Sequence, residues 1–405
     1  MSDSLDSRYS WTRLILSLGL ATVGNAGMWS VIVVLPALQA DFGGGRGDAS
    51  LPYTLTMIGF ALGNLLIGRA VDRFGISRAL AGAALVSGAG YVAAAFSPSM
   101  LSLSAAQGII GFGTAAFFGP LIADVSLWFR RRRGIAVAIA ASGNYLAGAI
   151  WPLLLSGVLS EQGWRAVYGV LAVLVVAVIV PGSTLLRRRL PDTSLTAEAQ
   201  ATSLTPRRVP FSPAVLMWVL SAAGVACCVA MSMPQVHIVA FCVDLGYGPA
   251  VGAEMLALML MGGVVSRLVS GLITDKLGGV PTLLIGSVGQ MIGLILYLPA
   301  EGQTSLYLVS LIFGLSQGGI VPAYAIIVRE YMPAKEAGAR VGFVIMATIL
   351  GMALGGWMSG WIYDMTGSYE LAFINGIIWN AANISIMLVI LFSGRPGKTL
   401  RPAAA

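Results

Sequence analysis

Charge is what this sequence most lacks. Asp, Glu, Lys and Arg together make up 10% of 405 residues, and there is one histidine. A soluble domain of ordinary composition carries about 25% charged residues, so a fully solvated surface is excluded. The lone His237 has no clustered His or carboxylate partners for a metal site. Cys227, Cys228 and Cys242 lie in or at the end of one apolar run, without metal-ligand spacing or an evident oxidised partner, and are expected as small buried hydrophobes. No nucleophile and base pair, metal cluster or phosphate loop occurs, which argues against an enzyme and calls for no cofactor and no metal. No cleaved leader is expected, because the run from Leu14 to Leu38 is longer than a signal h-region and reads as a span.

What remains is apolar. Hydrophobic residues make up 57% of the chain and mean hydropathy is +0.85. Runs of about twenty apolar residues, each enough to cross ~30 Å of hydrocarbon as a helix, recur along the whole sequence. The expected spans are 14–38, 49–68, 79–96, 101–125, 134–159, 164–186, 213–241, 249–273, 281–299, 304–328, 338–363 and 369–393. The fold class is therefore an all-α polytopic membrane protein of twelve transmembrane helices, whose first partner is the lipid bilayer. The formal net charge of +7 does not point to nucleic acid, because the basic residues sit in short clusters between apolar runs.

Those clusters set the topology. With both termini cytoplasmic, the inner segments carry Arg8, Arg13, Arg69, Arg73, Arg78, Arg130 to Arg133, Arg187 to Arg189, Arg207, Arg208, Lys276, Arg329, Lys335, Arg340, Arg395, Lys398 and Arg401. The outer segments carry only Arg46 and Arg165, which is the asymmetry of the positive-inside rule. One long hydrophilic stretch, rich in Ser, Thr, Pro and Arg, separates spans 6 and 7 and has linker composition. The expected organisation is an N-terminal six-helix bundle over 1–186, a cytoplasmic linker over 187–212, and a C-terminal six-helix bundle with a short cytoplasmic tail over 213–405.

The two halves repeat. A single offset of 203 carries Asp41 to Asp244, Gly43 to Gly246, Gly59 to Gly262, Gly68 to Gly271, Asp72 to Asp275 and Gly75 to Gly278. Internal repeats of this kind mark secondary transporters, in which two bundles rock about a site near the membrane midplane. Under the same offset Asn64 corresponds to Arg267, the one basic residue that belongs to no helix end or loop. A charge that deep is costly and usually faces a bundle interior or a water-filled cavity. Read blandly, Arg267 snorkels to the cytoplasmic interface roughly 10 Å away.

The stretch GRAVDRFGISR, Gly68 to Arg78, resembles the loop motif between the second and third helices of the major facilitator superfamily, and GLITDKLGG is its weaker echo. The resemblance covers nearly the whole chain and implies two pseudo-symmetric six-helix bundles. It also implies a conformational latch made of Gly68, Asp72, Arg73, Gly75 and Arg78, echoed by Gly271, Asp275 and Gly278. In such a latch Asp72 pairs with loop arginines and accepts hydrogen bonds from an adjacent helix N-terminus, where the helix dipole favours a carboxylate.

The segments LPALQADFG, LWFRRRRGIAVAIAASGN, EQGWRAVYGVL and MPQVHIVAFCVDLG, in this order, are similar to the bacterial monocarboxylate transporter and oxalate:formate antiporter branch. That resemblance implies a carrier of the bacterial cytoplasmic (inner) membrane, monomeric, that moves a small organic anion with protons. In it a span-7 His and Asp and a span-8 Arg handle substrate and proton, and the matching positions are His237, Asp244 and Arg267. Their chemistry agrees. Imidazole has an ordinary pKa near ~6.5, Asp244 lies seven residues on and on the same helical face, and a guanidinium binds a carboxylate by a planar fork. Asn25, Asn144 and Tyr324 are further candidates for substrate binding, although Asn and Tyr also bond between helices. Two departures stand out. Span 11 has no Lys, and the position one turn before Arg267, where animal monocarboxylate carriers have Asp, is Gly263. The expected function is proton-coupled symport of a lactate- or pyruvate-like monocarboxylate by alternating access. The alternative is an antiporter or exporter of another organic anion, a drug or a siderophore.

Overall fold

The computed structural model describes residues 5–188, 210–332 and 334–393, of which 334–338 are described by backbone alone. Arg189, Arg207, Arg208, Arg395, Lys398 and Arg401 lie outside the described residues, as do most of the expected linker and the tail, and Lys335 is described by backbone only. The chain runs as α1 (Arg8–Gly24), α2 (Ala26–Phe42), α3 (Arg46–Phe74), α4 (Ile76–Ala95), α5 (Met100–Thr114), α6 (Gly119–Leu127), α7 (Arg133–Thr184), α8 (Pro213–Asp244), α9 (Gly248–Leu277), α10 (Gly279–Tyr297), α11 (Gln303–Gln317), α12 (Ile320–Tyr331), α13 (Ala334–Thr366) and α14 (Glu370–Ser393). Among the described residues eleven helical stretches are long and apolar enough to cross a membrane. One of them, α7, breaks at Gly163 (φ 80°, ψ 175°) and is two crossings, so the chain makes the expected twelve.

Three of the crossings are discontinuous. The first is divided at Asn25 between α1 and α2, the fourth at a short 3-10 turn, Ala115–Phe117, between α5 and α6, and the tenth at Gly318 and Gly319 between α11 and α12. In hydrocarbon the backbone groups freed at such breaks need partners, and breaks are tolerated where protein or a cavity supplies them. At the first break the Asn25 amide donates to the carbonyls of Ala21 at 2.7 Å and of Phe117 at 3.2 Å, so two breaks satisfy each other.

The offset of 203 seen in the sequence is a property of the structure. It carries α5, Met100–Thr114, onto α11, Gln303–Gln317, and the turn glycine Gly75 (φ 83°) onto Gly278 (φ 86°). Only glycine adopts such a φ without strain. The same offset relates one close approach of backbones to another. A Cβ on Gly111 would overlap the Thr56 carbonyl oxygen, and a Cβ on Gly314 the Met259 carbonyl oxygen. Contacts between small residues are how helices associate in lipid, where no hydrophobic force drives them together.

Buried polar groups sit between helices. Gln107 donates to the Tyr168 hydroxyl at 2.6 Å, and Asn383 donates to Ser287 at 2.8 Å. Leu101, Val173, Leu272 and Phe392 stand exposed on the outside of the assembly, where lipid tails replace water. At the end that carries the chain termini, Arg13 is buried and bound to Asp124 through both carboxylate oxygens, each at 2.8 Å. Arg13 also caps the Leu186 carbonyl at 3.1 Å, so α1, α6 and the end of α7 are tied together.

The close approaches should be intolerant of side chains. Gly111→Val and Gly314→Val each force two backbones apart and should lower the detergent-solubilised unfolding midpoint, because overpacking costs ~1–3 kcal/mol. Gly157→Ala, where a Cβ meets nothing within 4 Å, should leave the midpoint unchanged or raise it slightly.

Candidate functional site

Three arginines among the described residues are more than nine-tenths buried: Arg13, Arg46 and Arg267. The first is paired with Asp124 and the second with Asp244. Arg267 has no carboxylate partner among the described residues. Its Nε–H donates to the Gly318 carbonyl at 3.2 Å and its Nη1–H to the Ala141 carbonyl at 2.5 Å, while the Tyr145 ring centroid lies 4.2 Å from Cζ. Gly318 is the residue at which the tenth crossing breaks, and Ala141 and Tyr145 belong to α7 in the first half. A single guanidinium therefore bridges the two halves of the repeat, held by carbonyl dipoles and a ring face, with its charge uncompensated.

Why this geometry forms can be read locally. Gly263, one turn before Arg267, leaves a gap that the Tyr145 ring fills, since a Cβ there would sit 3.0 Å from two ring carbons. The break at Gly318 directs its carbonyl to Arg267 instead of to a helical N–H. The next residue on α7, Asn144, extends the group. Its amide donates to Asn25 Oδ1 at 3.1 Å, and its carbonyl accepts from the Trp29 indole at 2.9 Å. So Arg267, Tyr145, Asn144 and Asn25 form one connected set around the broken first crossing. Gln317 joins it from the other side. Its carbonyl oxygen accepts from Gln235 at 2.6 Å, and its own amide nitrogen is buried without an acceptor. Gln235 and Trp29 were not singled out from sequence. A polar residue directly after Pro234 in an otherwise apolar run was the available signal for the first.

His237 and Asp244 belong to a different group. His237 is fully buried, with Nε2 at 2.8 Å from the Gly356 carbonyl and Nδ1 at 3.0 Å from the Tyr369 hydroxyl. A carbonyl only accepts, so Nε2 carries the proton, and the neutral ring then accepts at Nδ1 from the tyrosine O–H. Both nitrogens are satisfied within the second half. Asp244, the last residue of α8, pairs with Arg46. By helical rise Arg267 lies roughly 28 Å from the end of α9 nearest Asp244, and His237 roughly 10 Å from Asp244. Arg267 is thus separated from the other two by more than two helical turns, and the three residues grouped from sequence are split between the middle and one end of the molecule.

The remaining candidates divide in the same way. Tyr324 is fully buried and donates to Asn383 at 2.7 Å, inside the second half. Gly68, Asp72, Gly75 and Arg78 line a cleft of about 730 Å3 at the end that carries the termini, together with Arg13 and Asp124. Asp72, Arg73 and Asp275 are exposed, and neither aspartate makes an ion pair or hydrogen bond among the described residues. In place of Asp275, Glu330 accepts the N–H of Gly279 at 3.2 Å, next to Gly278, while Gly271 lies exposed on α9. In this conformation Asp72 and Asp275 make none of the bonds expected of a latch among the described residues, while Arg46, Asp244 and Asp364 join the two halves at the opposite end.

The sequence model of the Major Facilitator Superfamily matches residues 18–309 and 255–405. The chain is 27% identical to Monocarboxylate transporter 13 of Bos taurus over 331 residues, 80% of this chain and 75% of that one. It is 29% identical to Monocarboxylate transporter 11 of Homo sapiens, over 70% of this chain and 62% of that one. Among solved structures it resembles a bacterial homolog of the human lysosomal transporter Spinster, with a TM-score of 0.66 at 14% identity and 96% of each chain covered.

The separation of the two groups has a direct test. Tyr369→Phe removes the donor to His237 and leaves a buried acceptor unsatisfied, which costs about 1–3 kcal/mol. The unfolding midpoint should fall, while any carboxylate binding that depends on Arg267 should keep its affinity in isothermal titration.

Proposed function

The chain belongs to the major facilitator superfamily, and within that family of transporters we propose that it carries a small organic monocarboxylate across the membrane together with a proton. The observation that carries the reading is Arg267, a buried guanidinium with no counter-ion, held across the interface of the two halves. An unpaired charge in hydrocarbon is expensive, and such residues mark substrate pathways. A carboxylate supplies the missing charge. It takes two N–H groups of the planar fork, replaces the neutral carbonyl partners Ala141 and Gly318 with a charged acceptor, and leaves Tyr145 beneath the guanidinium as a platform. The Gln317 amide, short of one acceptor at the same break, suits a keto or hydroxyl oxygen on the adjacent carbon. Similarity to two monocarboxylate transporters supports the same class of substrate.

Alternating access follows from where the charge sits. Because Arg267 bonds to a carbonyl of each half, an anion bound there changes the contacts that hold the halves in register. On this reading the chain is a twelve-helix carrier with cytoplasmic termini, given by the excess of inner arginines, and works as a monomer. Asp244 and His237, remote from Arg267, then handle the proton at the closed end.

Uptake of labelled lactate and pyruvate into proteoliposomes under an inward proton gradient tests the proposal. Arg267→Met should lower uptake by about 10–100-fold, the worth of a charge-assisted hydrogen bond of ~1.5–3 kcal/mol, and Arg267→Lys should recover part of it. Arg267→Met should also unfold at the same or a higher temperature, because removing an uncompensated buried charge relieves its desolvation cost. Uptake of carboxylates unchanged in Arg267→Met would overturn the assignment.

A further inference from the structure

The closed end is shut by contacts between the halves that centre on three residues, Arg46, Asp244 and Asp364. The first residue of α3, Arg46, donates its backbone N–H to Asp364 at 2.6 Å, and Gly47 donates to the second oxygen of the same carboxylate at 2.8 Å. The first N–H groups of a helix have no intrahelical acceptor and are ordinarily capped by the side chain just before them. Here that position is Gly45, which has none, and a carboxylate from the last turn of α13 in the other half takes its place. The fit depends on absent side chains, since a Cβ on Gly360 would lie 2.6 Å from the Arg46 carbonyl oxygen. The Arg46 side chain pairs with Asp244 and lies over the Tyr363 ring at 5.0 Å. Its Nε and Nη1 are buried without acceptors, so among the described residues Asp244 is the one carboxylate paired with the guanidinium.

The internal repeat shows that this arrangement departs from the scaffold. The mate of Asp244 is Asp41, which pairs with Arg165 at 2.8 Å inside its own half. The offset of 203 takes Arg165 to Ser368, so the second half lacks the equivalent arginine. Asp244 has instead taken an arginine from the first half, and Arg46 corresponds to Pro249, with no counterpart of its own. A contact that keeps one half together in the first repeat holds the two halves together in the second.

We propose that Arg46, Asp244 and Asp364 form the gate at this end of the carrier, and that protonation of the two carboxylates from the adjoining water unlocks it. This rests on the transport reading above. The Asp244 side chain is 27% exposed, so water reaches it. The ionisable groups around the pair are Arg46 of α3, Tyr363 and Asp364 of α13, Tyr369 before α14, whose ring lies tilted against that of Tyr363 at 4.5 Å, and His237 two turns back on α8. Protonating Asp244 leaves the buried guanidinium uncompensated, and protonating Asp364 removes acceptor capacity from the helix end. Acid therefore loosens the gate and alkali tightens it.

Tyr53, buried against α13 two turns inside the gate, serves as a reporter. Tyr53→Cys is placed in a chain whose three native cysteines are replaced by alanine, and its reaction with a membrane-impermeant maleimide is timed in right-side-out and inside-out vesicles, without substrate. The gate predicts slow labelling at about pH 8 and faster labelling at about pH 5, where carboxylates begin to protonate. Asp244→Asn and Asp364→Asn, which keep shape and lose charge, should speed labelling at the higher pH by about tenfold or more and flatten the pH response, as breaking a buried pair demands. Arg46→Gln should do the same, and Arg46→Lys should stay closer to the parent. Faster labelling from either face supports the gate and identifies the compartment it opens to. Equal rates in parent and Asn variants at both pH values, from both faces, would overturn it. Because no substrate is present, that failure is distinct from a loss of carboxylate uptake.

Discussion

The uncompensated guanidinium of Arg267 is the constraint on which the middle of this molecule depends. In a soluble protein its neighbours would be waters or a carboxylate. Here they are the Ala141 and Gly318 carbonyls and the face of Tyr145. Ala141 offers its carbonyl from an unbroken stretch of α7, whereas the Gly318 carbonyl is left open because the tenth crossing breaks there and the residue four on, Pro322, has no N–H to claim it. The break in turn needs close packing on α9, where a Cβ on Gly318 would overlap the Gly263 carbonyl oxygen. Charge, broken helix and small residues are three parts of one solution.

The repeat supplies a control experiment within the chain. Where both halves obey the offset of 203, as in the Gly111 and Gly314 contacts, the feature serves the scaffold. Where they disagree, it serves something that one half does and the other does not. Asn64 donates to the Phe60 carbonyl at 2.8 Å in its own helix, while its mate Arg267 reaches across to α7. Asp41 pairs within its half and Asp244 across to the other. Both departures lie on the interface between halves, which is where a carrier must change.

How much of this was legible in the sequence follows from the range of each signal. Hydrophobic run length is local, so the twelve crossings were readable. The internal repeat is a comparison of the sequence with itself, so it too was readable, and the structure extends it to whole helices. Arg267 stood out because nothing else charged lies so deep. Arg13 and Arg46 did not, since a basic residue near a helix end looks like a topology signal whether it faces water or another helix. His237 and Asp244 share a helical face, but the face of a helix buried all round does not say which neighbour it meets. Tyr324 went the same way, into packing against Asn383. The partners of Asp72 depend on conformation, which no single sequence encodes.

Under the proposed proton-coupled function, the distance between the two polar groups limits how proton and anion can be linked. Along the helix axes His237 and Asp244 lie roughly 18 and 28 Å from the level of Arg267. At an effective dielectric of about 20, unit charges that far apart interact by less than ~1 kcal/mol. Moving a two-state carrier from one dominant conformation to the other takes ~5.5 kcal/mol. Direct attraction between a proton at one end and a carboxylate in the middle therefore cannot couple the fluxes. The link has to be mechanical, through elements that touch both groups. The helix pair α8 and α9 qualifies. It carries His237, Asp244 and Arg267 on two rods joined by a three-residue turn, and α13 meets α8 at Gly356 and the start of α3 at Asp364. On the proposed function, a carrier built this way would separate the chemistry of its two ligands and couple them by which end of the bundle is shut.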